Sequence, residues 1–250
     1  MDIIAMRVDL PTPECVLAIG AHPDDVEFGC GATLAKWGEA GTNVHLLVCT
    51  DGSKGSWDPH VDRDELVQRR QAEQVTAAQR LHPQATAHFL DAVDGELTNT
   101  VERRGHLARI IRLVKPDVVL SHDPWRRWRM HPDHRAAGLL TVDAVVAARD
   151  PHYHPEHRSD GLGPHRPTSL LLFECEQPDL VEQFSDRHLT AKIDALLAHQ
   201  SQLESTMGIA ADETRERIEF EQRMRDQARN QGRLAGVPLG EAFRWMDPAR

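Results

Sequence analysis

Long apolar runs, basic charge and paired cysteines are all scarce in this 250-residue chain, and each shortage removes a class of function. No apolar run approaches the roughly 20 residues that span a bilayer, which argues against a membrane protein. Met1 to Pro13 carries acidic residues and two prolines instead of a basic region followed by an apolar one, so no signal peptide is read there. A cytoplasmic protein is the resulting expectation. The 29 Lys and Arg face 39 Asp and Glu, and the net charge of −10 has the wrong sign for a nucleic-acid binder. Cys15, Cys30, Cys49 and Cys175 show no Cys-x-x-Cys spacing, which argues against thiolate zinc and a redox pair. Cys30 and Cys49 lie among apolar or small neighbours and are expected to be reduced and buried. Internal repeats and low-complexity linkers are missing too. With 40% hydrophobic residues to build a core, the whole of 1–250 is expected to be one domain.

What is present is an alternation of strands and helices. Val16 to Gly20 predicts a first strand, Phe28 to Trp37 a helix, and Asn43 to Thr50 a nearly continuous apolar strand suited to burial on both faces. Helix from about Asp62 to Leu81, a weak strand at His88 to Leu90, helix Val101 to Val114 and strand Val118 to Leu120 follow. A loop from Ser121 to Met130 leads to a helix at Pro132 to Ala148. Later come strands at Thr168 to Glu174 and Leu180 to Phe184, helices at His188 to Ser201 and Asp212 to Arg229, and a closing strand or loop at Gly240 to Met246. This order predicts a single α/β domain with a partly Rossmann-like, mainly parallel sheet flanked by helices.

Two segments carry the chemistry. His22-Pro23-Asp24-Asp25 follows the first strand, and His131-Pro132-Asp133-His134 opens a helix after the fourth. One aspartate of the first segment could simply cap its helix. That leaves a second aspartate and a histidine without a structural reason. Pro132 suits a first helical position, and histidines three apart can face one side. In a doubly wound sheet the loops after the first and fourth strands flank the crevice where strand order reverses and ligands bind. Two histidines and a carboxylate converging there suit catalytic zinc, and equally ferrous iron.

The segments Ala21-His22-Pro23-Asp24-Asp25, Thr50-Asp51-Gly52-Ser53, His131-Pro132-Asp133-His134 and His199-Gln200-Ser201-Gln202 resemble the LmbE-like, PIG-L-type zinc deacetylases. That family hydrolyses N-acetyl groups on amino sugars. The resemblance implies one divalent ion, Zn or alternatively Fe(II), on His22, Asp25 and His134 at the carboxyl ends of the strands. It implies Asp24 as the general base toward the water that the metal activates. It further implies His131 as the group that stabilises the oxyanion or protonates the leaving amine, with Asp133 orienting its ring. Arg70 and Asp94 match positions used near sugar hydroxyls. The implied partner is a small N-acetylated sugar or conjugate, with no nucleic acid and no membrane, and with a homo-oligomer left open.

The chain departs from the family pattern at two places. Many members have glutamate directly after the paired aspartates, whereas here Val26 intervenes and the acid is Glu27. Some members carry a catalytic tyrosine two residues before His131, where this chain has Arg129, so His131 is expected to act alone. Trp57, Trp125 and Trp128 lie in loops on the active face, where they could stack on a sugar or cover the edge of the core. The loop with His152, His154, His157 and His165 lacks a closely spaced carboxylate and is expected to be solvated or an oligomer contact. Gly29-Cys30-Gly31 is rejected as a nucleotide fingerprint, since His-Pro-Asp-Asp fills the turn before it. The rival readings are an amidase of a larger thiol–sugar conjugate, a ferrous oxygenase, and a metal- or sugar-binding protein without catalysis.

Overall fold

The computed structural model describes residues 6–210 and 212–248. The first five residues of the N-terminal stretch read for a leader lie outside the described residues. The strands are β1 (Arg7–Val8), β2 (Cys15–Gly20), β3 (Asn43–Thr50), β4 (Thr86–Ala92), β5 (Val118–His122), β6 (Ser169–Phe173), β7 (Leu180–Gln183) and β8 (Gly240–Met246). They form one sheet in the order β1-β7-β8-β6-β5-β2-β3-β4. Pairing is parallel throughout except where β8 runs antiparallel between β6 and β7.

The helices are α1 (Asp25–Glu39), α2 (Arg63–Leu81), α3 (Val101–Val114), α4 (Pro132–Arg149), α5 (Asp186–Leu196) and α6 (Glu213–Arg233). Successive residues of a strand point to opposite faces, and β2 is apolar on both. Val16 and Ala18 pack in a core with Val26 and Leu34 of α1 and Ala77 and Leu81 of α2. Leu17 and Ile19 pack in the other with Leu107 and Ile111 of α3 and Leu140 and Ala144 of α4. A third cluster joins α5 to α6 outside α1. The continuous apolar run of β3 is thereby explained: a central strand has no solvent face.

β2 lies directly beside β5, with Ala18 opposite Leu120. The crevice between their carboxyl ends is therefore the point where strand order reverses, as expected from the alternation. α4 closes tightly onto it. A Cβ at Gly138 would meet the His122 carbonyl oxygen at 2.5 Å, so only glycine lets the helix approach this closely.

Several elements extend beyond or differ from their expected limits. β5 continues through Ser121 and His122 into what was expected to be loop. α1 starts at Asp25 instead of Phe28 and is broken at Cys30, where φ is −150°. The helix expected to run to Ser201 gives way to a 3-10 turn (Gln200–Gln202) and a π turn (Leu203–Met207). β1, two residues long, carries no sequence signal of its own.

The histidine-rich loop is exposed along most of its length, as expected of a solvated segment, but it is held in place from inside. Buried Arg112 donates to the carbonyls of Ala147, Ala148, Asp150, Tyr153 and His154, and so winds the loop around itself. His157 is buried, with its Nδ1 3.1 Å from Arg112 Nη1. His165 bonds the Pro116 carbonyl at 2.8 Å. A guanidinium at that distance opposes a cation on the His154–Glu156–His157 group.

Candidate active site

The end of β2 delivers His22, Asp24 and Asp25 to the crevice, and the chain after β5 delivers His131, Asp133 and His134. Asp25 lies at the centre of the cluster. One of its oxygens is 3.3 Å from His22 Nδ1 and 3.2 Å from His122 Nε2, and accepts from the His22 amide at 2.7 Å. Its other oxygen is 3.3 Å from His134 Nε2. Burial would raise the Asp25 pKa, but His122 and His134 outweigh it and hold the carboxyl well below its usual range.

The ring orientations decide which histidines can share an ion. An imidazole binds a metal through a lone pair lying in the plane of its ring. His134 is stacked on His122 at 17° and on His131 at 20°, which leaves the in-plane lone pairs of each pair nearly parallel, although Asp25–His122–His134 and His22–His131–His134 each bring ligand atoms within 4.8 Å of one another. His22 and His134 are tilted by 51° and can converge. Zinc ligands about 2.0–2.1 Å from a shared ion stand roughly 3.3 Å apart in a tetrahedron, and Asp25 stands at that spacing from each ring, through one oxygen to His22 and the other to His134.

The charge balance favours a cation as well. His22 Nε2 faces Asp133 at 3.1 Å and Asp94 at 3.2 Å, a carboxylate–histidine arrangement of the kind that orients metal ligands. Burial opposes protonation of His22, yet Asp133, Asp25 and Asp94 together push its pKa up to about 12. The crevice is built to hold positive charge, and a divalent ion would supply it.

Asp24 sits at the N-cap position of α1 with φ 101°, and its side chain makes no capping bond. The simple helix-cap explanation therefore fails, and its carboxylate is held under the cavity 3.8 Å from Arg70 Nη2. Burial raises its pKa to about 6, with Arg70 pulling the other way. The Arg70 side chain is 3% exposed, and it donates to the carbonyls of Gly52 and Pro23. It anchors the two loops around Asp24. Below, Gln74 accepts from the Asp24 amide and donates to Glu27 at 2.6 Å, while His199 Nε2 stands 3.7 Å from the other Glu27 oxygen. The substitution pattern at 26 and 27 now has a reason: Val26 enters the core and Glu27 is the residue turned beneath the site.

His131 caps α4, its Nδ1 accepting from the Asp133 amide at 3.3 Å. An accepting Nδ1 leaves Nε2 as the donor of the neutral ring. Burial lowers the His131 pKa, and His22 and His134 add to the effect, so the structure favours that neutral donor over a charged imidazole. The resemblance implied that Asp133 orients the His131 ring; in the structure it contacts that ring through its backbone amide and not through its carboxylate. The Asp133 carboxylate is turned away, to His22 Nε2 and to the amides of Gly95 at 2.6 Å and Leu97 at 3.2 Å. Its only bond to His131 is through the backbone. Asp94 lines the cavity but is tied to His22 and to the Lys54 amide.

His22, Asp24, Asp25, Arg70, Asp94, His131 and His134 line a cavity of about 360 Å³, together with Lys54, Gln202 and Thr206. Three groups at the centre had no signal in the sequence reading: His122, Glu174 and the inward turn of Arg129. His122 is fully buried with Nδ1 3.2 Å from Glu174. Trp57, Trp125 and Trp128 are 74%, 56% and 90% exposed, so none covers the core edge.

Sheet, crevice and cluster define the class, an α/β enzyme with a histidine–carboxylate centre at its strand ends. Residues 17–145 match the family described as PIG-L, GlcNAc-PI de-N-acetylase, and the chain belongs to that family. It is 37% identical to a diacetylchitobiose deacetylase of Thermococcus kodakarensis over 187 residues, covering 75% of this chain and 69% of that protein. It is 31% identical over 169 residues to a 1D-myo-inositol 2-acetamido-2-deoxy-alpha-D-glucopyranoside deacetylase of Kineococcus radiotolerans. That match spans 56% of this chain and 46% of the relative, less than half its length. Among solved structures, an inhibitor complex of the N,N'-diacetylchitobiose deacetylase from Pyrococcus horikoshii superposes with a TM-score of 0.83 at 30% identity, covering 95% of this chain and 85% of that one. No helix among the described residues is long and apolar enough to cross a membrane.

Proposed function

We propose that this chain is a metal-dependent hydrolase that removes an N-acetyl group from an amino sugar or sugar conjugate. The observation that carries the reading is Asp25 at 3.3 Å from both His22 and His134, whose tilted rings can meet at one ion. In this reading His22, Asp25 and His134 would hold one zinc ion, which when bound would acidify a water and polarise the acetyl carbonyl. Asp24, adjacent to a ligand and bound to none of the three, takes a proton from the attacking water. His131 Nε2–H donates to the oxyanion as the new C–O bond forms. When the C–N bond breaks, the amine leaves with the proton that Asp24 took from the water, which returns Asp24 to its carboxylate, and the acetyl group leaves as acetate. Asp94 and Arg70 border the cavity where the sugar hydroxyls would lie. The names of the T. kodakarensis and K. radiotolerans relatives support an N-acetylglucosamine-containing substrate.

A larger conjugate is the second reading. It is favoured by Trp128 and Met130, which precede His131 in the chain and stand 90% and 94% exposed, apolar surface that an aglycone could cover. Metal analysis of freshly purified protein, coupled to acetate release from N-acetylglucosamine, diacetylchitobiose and an N-acetylglucosaminyl thiol conjugate, tests both. One equivalent of zinc and acetate release are expected, with the metal lost in His134→Ala. Zinc-loaded protein that releases no acetate from any of the three would refute the assignment.

A further inference from the structure

Glu174 is the first residue after β6, and nothing in its local sequence connects it with catalysis. Its φ is 55°, a backbone conformation that side chains other than glycine rarely adopt. That turn brings one carboxylate oxygen to two groups at once. Glu174 Oε2 is 2.7 Å from Arg129 Nη1 and 3.2 Å from His122 Nδ1. Each of those groups touches one member of the ligand set proposed above. His122 Nε2 lies 3.2 Å from Asp25, and Arg129 Nη1 lies 3.2 Å from His134 Nδ1. The Arg129 side chain is 5% exposed and does not line the cavity.

We propose that Glu174 is a positioning residue of the metal centre, which locks His122 against Asp25 and neutralises Arg129 behind His134. This rests on the reading of Asp25 and His134 as ligands. The physical need is electrostatic. A guanidinium 3.2 Å from one nitrogen of His134, on a side chain that is itself 5% exposed, repels a divalent ion on the other, and the contact is too short for bulk salt to screen fully. Glu174 offsets that charge at shorter range. Arg129 therefore occupies the position of the family's tyrosine without its role: it packs behind a ligand and does not donate to substrate.

The test compares wild type, Glu174→Gln, Glu174→Gln/Arg129→Met and His134→Ala. Zinc affinity is measured by chelator competition, the cobalt-substituted protein by its visible absorption, and the metal-free protein by thermal melting. Glu174→Gln should lower zinc affinity 10–100-fold, the range typical of lost outer contacts to metal ligands, and change the cobalt spectrum. The double variant should regain part of that affinity, because the uncompensated cation is gone. Glu174→Gln with wild-type affinity and an unaltered cobalt spectrum, while His134→Ala loses the metal, overturns the proposal and leaves the ligand set standing. Weaker binding matched by a lower metal-free Tm, with an unaltered cobalt spectrum, overturns it too, since that is a folding defect. Wild-type binding in His134→Ala overturns the ligand set and this proposal together.

Discussion

Asp24 combines three costs that a structural residue would not carry. It is buried, its φ of 101° is a strained conformation worth on the order of 1–3 kcal/mol, and its carboxylate makes no helix-cap bond. A base poised near neutrality accounts for all three, because burial lifts its pKa to about 6 while Arg70 stops it rising further. The sign of the pH effect follows. A base works ionised, so kcat/KM should fall about tenfold per pH unit as the pH drops through the pKa. A bound divalent ion adds to Arg70, which moves that limb to or below about 6. Asp24→Asn should keep stoichiometric metal, lose roughly 100- to 10,000-fold in kcat and lose the acid limb. A pH–rate profile beside metal analysis checks this, and a variant without metal would make Asp24 a ligand. Asp24, His22 and His134 were legible in the sequence because their motifs are contiguous, and contiguity is what sequence patterns detect. Glu174 was not legible: it meets His122 only through the pairing of β5 with β6, and no spacing along the chain encodes that.

Among the elements, α1 shows how a misleading motif resolves. Gly29-Cys30-Gly31 marks a break in the helix and no phosphate loop. A Cβ at Gly29 would meet the Phe173 ring at 2.6 Å, so glycine is needed where α1 crosses β6. Breaking a helix in the core orphans backbone groups. A buried ion pair takes them up. Glu241 of β8 accepts from the amides of Ala32 and Thr33, Lys192 of α5 donates to the Phe28 carbonyl, and the two side chains meet at 2.7 Å. Removing one partner leaves a buried charge, so Lys192→Met should destabilise by about 3–5 kcal/mol, with Glu241→Gln milder because its amide still accepts. Urea unfolding of the two variants checks the order. Helix and strand limits read from apolar periodicity were sound at α3 and β3, where the pattern runs to the element's end. They failed at α1 and β5, whose last or first turns are polar because they form the site.

For the whole molecule, the decisive feature is where the last strand goes. β8 is last in the sequence yet lies inside the sheet, antiparallel between β6 and β7. β1 and β7 join the sheet only through it, and its Glu241 supports α1, which begins at the site. The family match covers 17–145, the half with β2 to β5 and the two histidine motifs. Glu174, Gln202 and the sheet's closing strands belong to the other half. An alternating pattern of strands and helices could be read along the chain, but an insertion by the final strand could not, since Gly240 to Met246 is ambiguous alone. This topology leads us to propose one folding unit over 1–250. Equilibrium urea unfolding should then give coincident single transitions by far-ultraviolet circular dichroism and tryptophan fluorescence. A chain ending at residue 239 should be worse than shortened. It loses β8, leaves β6 as an exposed edge and cuts β1 and β7 away, so it should aggregate or unfold without a cooperative transition. If that truncated chain melted cooperatively and still bound zinc, the N-terminal half would be an independent domain, and the distribution of the active centre over both halves would be wrong.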